Sequence, residues 1–140
     1  KNVIAPIGTP LSDLAAACGG YREPPRKLLY GGPMMGLALR GDDMPVMKHT
    51  NAFLAFGAAE AAVPEEGACI RCGACVQHCP MSLTPLFLAG ASDRGDTAAM
   101  KKLDINSCVE CGSCSYVCPA KRQLLQRIRA GKSLLKEQRR

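Results

Sequence analysis

Apolar positions in this chain come in short bursts separated by glycine, proline and charged residues, and no burst is long. "GTPLSDLAAACGG" has the spacing of one short helix. Thr9 is placed as its N-cap, Pro10 in its first turn and Gly19 where it must stop. "RKLLYGGPMMGLAL" sets strand-like apolar residues on either side of a Gly-Gly-Pro turn, and "MPVMKHTNAFLAF" adds two further strand candidates around a polar break at His49 to Asn51. After Glu65-Glu66-Gly67, the expected boundary, the pattern changes. The stretch between residues 81 and 107 lacks β-branched runs, and Thr84-Pro85 repeats the helix-start signal of Thr9-Pro10. This predicts a helix from Pro85 to about Ala91 and another ending near Leu103. Leu124, Ile128 and Leu135, with Leu125 and Leu134 beside them, form an apolar stripe on a C-terminal helix. The fold class expected is α+β, a small strand-bearing element followed by helices.

The longest apolar run, Ala52 to Ala59, is far below the ~20 residues that a membrane-spanning helix requires. The chain has 140 residues, no Trp, and only three Phe and three Tyr, so large aromatic anchors are scarce for any core. Nine cysteines suggest that something inorganic takes part in holding it together. The net charge of +6 resides in the tail, because from Lys121 to Arg140 the only acid is Glu137. Residues 1 to 120 are close to neutral, which argues against a nucleic-acid-binding body. The basic C-terminal helix either packs on its own domain or docks to acidic subunits or anionic lipid. The absence of an initiating Met suggests a piece of something longer.

Eight of the cysteines fall in two copies of one phrase, "ACIRCGACVQHCP" at residues 68 to 80 and "SCVECGSCSYVCP" at 107 to 119. Cysteines this close would close very small disulfide loops, whereas metal ligation suits them. A cubane cluster takes four thiolates from different directions, and three cysteines in a tight turn cap three irons of one cube. The fourth sulfur, carried off by a short helical turn before Cys-Pro, then serves the other cube. The ligands expected are Cys69, Cys72, Cys75 and Cys118 for one [4Fe-4S] cluster, and Cys108, Cys111, Cys114 and Cys79 for the other, as in two-cluster ferredoxins generally. Gly73 and Gly112 let the backbone wrap closely and aim N–H groups at sulfur. Zinc is the rival for paired C-x2-C motifs, though a zinc site has no need of the third cysteine. With all irons capped by cysteine, one-electron relay is the expected role. A redox sensor and a purely structural cluster are the other readings.

Other residues carry smaller expectations. Met34 and Met35 fill a core gap. His78 stays solvated beside Cys79. Cys18 is a buried, inert thiol. Arg71 and Glu110, at matching places in the two phrases, give their clusters opposite charges, with the Arg71 side at higher potential.

"GTPLSDLAAACGG", "GGPMMGLAL" and "MPVMKHTNAFLAF", followed by the two cysteine phrases, resemble the C-terminal part of the RnfC family, and the Gly31–Gly36 turn is the most specific feature. The resemblance implies a partial β-grasp (SLBB-like) domain at residues 1–58 and a dicluster [4Fe-4S] ferredoxin domain with a basic C-terminal helix at 59–140. It also implies a subunit of the Rnf complex, which couples electron transfer between NADH and ferredoxin to ion translocation. No catalytic, flavin or nicotinamide site matches here; FMN and NADH would be bound upstream of Lys1. The expected partners are the other Rnf subunits, and the expected location is peripheral, on the cytoplasmic face of the bacterial inner membrane. The alternatives are a freestanding dicluster carrier, a subunit of another flavin oxidoreductase, and a redox-responsive regulator.

Overall fold

The computed structural model describes residues 1–138; Arg139 and Arg140 of the basic tail lie outside the described residues. The chain divides into two compact units, with the division between Val63 and Pro64.

The first unit contains α1 (Leu11–Ala17), β1 (Lys27–Tyr30), β2 (Leu37–Leu39), β3 (Phe53–Phe56) and the short α2 (Ala58–Ala61). The strands form one antiparallel sheet in the order β2-β1-β3, with Leu29 opposite Ala38 on one side and Leu54 on the other. A small core of Leu11, Tyr30 and Val46 is completed by Leu14, Leu39, Met44 and Phe53. The turn between β1 and β2 depends on glycine, because a Cβ on Gly36 would run into the Gly32 carbonyl and lie 3.1 Å from that of Tyr30. Tyr30 shares a hydrogen bond with Thr50. The Tyr21 hydroxyl donates to Asp42 at 2.8 Å, and burial together with that carboxylate pushes its pKa up to about 12.

Four expectations change here. The N-cap of α1 is Pro10, while the Thr9 hydroxyl donates to the Pro6 carbonyl instead. Residues 44–47 make no strand beyond one isolated Pro10–Pro45 bridge, because two prolines withhold the N–H donors that a ladder needs. Met34 and Met35 fill no core gap, being 41% and 54% exposed at the tip of their turn. Cys18 is half-exposed at the C-terminus of α1, since that helix buries only Leu11.

The second unit contains α3 (Ala74–Gln77), α4 (Pro85–Asp93), α5 (Thr97–Lys102), a 3-10 turn at Ile105–Ser107, α6 (Ser113–Tyr116) and α7 (Leu124–Glu137). Each cysteine phrase therefore builds a loop, a single helical turn, Cys-Pro and a longer helix, so the internal repeat extends past the cysteines into α4 and α7. These two helices pack together over Leu88, Ala91, Met100, Ile105, Ile128 and Leu135. Where they cross, Gly131 faces Ser92, its own counterpart in the repeat; a Cβ on Gly131 would clash with the Ser92 side chain and sit 2.8 Å from Met100 Sδ. Ile128 is fully buried, worth roughly 1.5–3 kcal/mol of hydrophobic stabilisation.

The basic helix is part of this unit. Its stripe is buried at Leu124, Leu125, Ile128 and Leu135, although Leu134 is exposed. Its first N–H groups are also satisfied, with Gln123 N–H donating to Glu66 at 2.9 Å and Leu125 N–H to the Ser115 hydroxyl at 2.9 Å. Arg127 bonds Glu66 at 2.6 Å and Asp93 at 3.1 Å. Among the described residues no helix is long and apolar enough to cross a membrane.

Candidate metal centre

The eight repeated cysteines gather around two recesses in the second unit. One is lined by Cys69, Cys72, Cys75 and Cys118, with Arg71, Gly73, Phe87, Arg122 and Leu124 among its walls. The other is lined by Cys79, Cys108, Cys111 and Cys114, with Leu83, Leu88 and Ile128 behind them. Each recess thus collects three cysteines of one phrase and the Cys-Pro cysteine of the other. The one-turn helices α3 and α6 account for this, because they carry Cys79 and Cys118 away from the three sulfurs that precede them. Among the described residues no three His, Cys, Asp or Glu side chains are gathered tightly enough for a single metal ion.

The backbone of the two loops repeats within a few degrees. Arg71 and Glu110 have φ of 56° and 58°, Gly73 and Gly112 of 77° and 81°, and Ser82 and Lys121 of 52° and 54°. A left-handed conformation costs a non-glycine residue about 1–2 kcal/mol, so four such residues in matching places require something to offset them. Alternating right- and left-handed residues turn successive N–H groups inward, forming a concavity that suits anionic sulfur. Two N–H donors already meet thiol sulfur, Arg71 to Cys69 at 3.4 Å and Leu83 to Cys79 at 3.3 Å.

The thiols differ in environment. Cys69 and Cys72 are exposed, Cys108 and Cys111 half-buried and Cys114 buried. Burial pushes Cys114 up to about 11 and raises Cys75, although the Leu86 N–H at the start of α4 favours the Cys75 thiolate. The Ser113 hydroxyl, 3.4 Å from Cys111, holds that thiol below its ordinary value. Burial disfavours the Cys114 thiolate, and a nearby positive charge such as a bound iron would favour it. Sulfur donors, inward N–H groups and enclosing walls together fit a [4Fe-4S] cluster in each recess.

Side chains around the loops break the symmetry. Glu110 accepts from Arg129 at 2.9 Å and Lys132 at 2.9 Å, and the Lys132 ammonium, ahead of Arg129, holds its carboxyl below the usual range. Lys132 also donates to the Cys108 carbonyl at 2.6 Å. Glu110 therefore brings no uncompensated negative charge to its loop, and the expected contrast with exposed Arg71 loses its basis. His78 is exposed beside Cys79, its Nδ1 3.0 Å from the Ala74 carbonyl. Sequence reasoning missed Glu66, Ser115, Lys132 and Arg122, which act across long stretches of chain. The only sequence signal for Arg122 was its place in the repeat, opposite Leu83.

The comparisons with known proteins agree with this geometry. The family "4Fe-4S dicluster domain" matches residues 66–122. The C subunit of the ion-translocating oxidoreductase complex of Rhodobacter capsulatus is 45% identical over 104 residues, 74% of this chain and 20% of the relative. The protein of the same description from Methanosarcina acetivorans is 44% identical over 132 residues, 94% of this chain and 30% of the relative. The chain belongs to the RnfC family. A further family member, the C subunit of the Na(+)-translocating ferredoxin:NAD(+) oxidoreductase complex of Acetobacterium woodii, is 43% identical over 134 residues, 96% of this chain and 30% of the relative. The chain thus spans between a fifth and a third of the length of these curated relatives, and its similarity to the last two extends over both units.

Proposed function

We propose that this segment relays electrons one at a time through two [4Fe-4S] clusters within the RnfC subunit of a membrane complex that couples NADH and ferredoxin oxidoreduction to ion translocation. The observation that carries the reading is the pair of recesses, each walled by three cysteines of one phrase and the Cys-Pro cysteine of the other. Cys69, Cys72, Cys75 and Cys118 hold one cluster, and Cys108, Cys111, Cys114 and Cys79 the other. When bound, each cluster accepts and donates single electrons with little change in structure. The protein supplies the thiolates, turns N–H groups toward sulfur and lines the second recess with Leu83, Leu88 and Ile128. Sharing ligands across the repeat keeps the two centres close and rigid, as a relay requires.

Residues 1–58 form the β-grasp (SLBB-like) portion, a reading supported by the three-stranded antiparallel sheet. Residues 59–140 form the ferredoxin portion. The hydride chemistry of NADH and the FMN that receives it belong to sequence upstream of Lys1, and the other Rnf subunits are the partners. The protein lies peripherally on the cytoplasmic face of the bacterial cell membrane.

Anaerobic iron and sulfide analysis with electron paramagnetic resonance tests the reading. About eight irons and eight sulfides, and two reducible [4Fe-4S] signals, are expected. A content near four of each, or stoichiometric zinc after native purification, overturns it.

A further inference from the structure

Among the described residues, one buried side-chain nitrogen or oxygen lacks a hydrogen-bond partner, and it is Nε of Arg122. A buried donor left unpaired costs about 1–3 kcal/mol, and more when it carries charge, so native proteins seldom retain one without a reason. The guanidinium is not loose, because its Nη1 donates to the Gly67 carbonyl at 3.3 Å, and the Gly67 N–H in turn donates to the Ala120 carbonyl at 2.9 Å. Arg122 is thus anchored at one nitrogen and unsatisfied at another. It also lines the recess of Cys69, Cys72, Cys75 and Cys118.

The repeat makes the position informative. Arg122 follows Cys118 as Leu83 follows Cys79, and Leu83 lines the other recess, buried. The residues preceding them, Lys121 and Ser82, share the left-handed conformation, so the backbone presents both side chains from equivalent places. At this place one recess has an apolar wall and the other a fixed cation with a spare N–H. Charge elsewhere is more evenly matched, since Glu110 is offset by Arg129 and Lys132.

We propose that the Arg122 Nε–H donates to sulfur of the cluster held by Cys69, Cys72, Cys75 and Cys118, raising its reduction potential above that of the cluster on the Leu83 side. Donors to cluster sulfur, like nearby positive charge, stabilise the reduced, more negative state. The inference rests on the ligand assignment proposed above, and it gives the relay a direction, with the Arg122 side as the lower-energy resting place for an electron.

The test is an anaerobic redox titration of the full chain carrying its clusters, followed by electron paramagnetic resonance. Cys72→Ser and Cys118→Ser first identify the wave of the first cluster, and both must perturb the same one. If they perturb different waves, the ligand assignment fails, and this inference fails with it. If they agree, Arg122→Leu should lower that wave by about tenfold in the reduction equilibrium, about 59 mV for one electron, at unchanged iron content and with the other wave in place. Arg122→Lys, which keeps the charge but not the Nε donor, should give a smaller shift in the same direction. An unmoved wave in Arg122→Leu, or equal movement of both waves, overturns the role of Arg122 while leaving the ligand assignment intact. Should Arg122→Leu lose iron, Arg122→Lys decides alone: a lowered wave supports the hydrogen bond, and an unmoved wave overturns it. Iron loss in both variants makes Arg122 a structural clamp through Gly67 and also overturns the proposal.

Discussion

The two halves of the second unit are built on one backbone and finished with different side chains. The loops match in φ to within a few degrees at Arg71 and Glu110, Gly73 and Gly112, and Ser82 and Lys121. Yet Cys69 and Cys72 are exposed where Cys108 and Cys111 are half-buried, and Arg122 stands where the other half has Leu83. Repetition thus makes the cradle, while the residues between cysteines decide how wet and how charged each cradle is. For a relay this matters, because two identical centres have no preferred order, whereas two unequal ones do.

The largest effect on that comparison comes from the shared ligands. Cys79→Ser, although in the first phrase, should disturb the cluster of Cys108, Cys111 and Cys114, and Cys118→Ser that of Cys69, Cys72 and Cys75. Each variant should lose or alter about four of the eight irons, as read by iron analysis and electron paramagnetic resonance. Finding Cys79 on the same cube as Cys69 would end the idea that the halves are interlocked.

The helix crossing comes next. Gly131→Ala puts a Cβ against Ser92 and Met100 in a filled interior, an overpacking that should cost about 1–3 kcal/mol. The half-exposed Gly90 on α4 has only the end of the Arg94 side chain nearby at 3.4 Å, so Gly90→Ala should be neutral or slightly stabilising. Thermal unfolding of the two variants, measured with clusters bound, separates them; equal midpoints would mean that the crossing is slack.

The ionic asymmetry is smaller. Glu110→Gln removes the negative charge that pairs with Arg129 and Lys132 and leaves one neutral acceptor oxygen for the two, at a cost of about 1 kcal/mol for two partly exposed pairs, while exposed Arg71→Gln should change stability by less than about 0.5 kcal/mol. Denaturation in low and high salt checks this, because only the Glu110 difference should shrink as salt rises.

The smallest effect concerns backbone strain common to both halves. Ser82→Gly and Lys121→Gly relieve a left-handed residue but add chain entropy to the unfolded state, leaving a gain of about 0.5 kcal/mol in each. Their unfolding midpoints should rise by similar small amounts, and a large difference between them would show that the repeat is less exact in energy than in φ.

Much of this protein was legible in order along the chain. The eight ligand candidates, the two-part organisation, the helices at Pro85 and Leu124 and the strands flanking the Gly31–Gly36 turn depend on spacing, and spacing is written in the sequence. Local chemistry sufficed because a C-x2-C loop or an apolar stripe is specified by neighbours a few residues apart. What failed was whatever depended on the environment of a side chain. Met34 and Met35 turned out exposed at a turn and Cys18 half-exposed, because a short sheet and two short helices enclose too little volume to bury them, and residues 44–47 form no strand because Pro10 and Pro45 withhold ladder donors. The charge on Glu110 was likewise decided by Arg129 and Lys132, a full cysteine-loop and helical turn away. The sequence by itself determined which sulfurs are available and that they come in two equal sets. Only the tertiary structure decided how deeply each sulfur is buried and that Arg122 is anchored on the Gly67 carbonyl with its Nε left unpaired, because both depend on packing between residues distant in sequence.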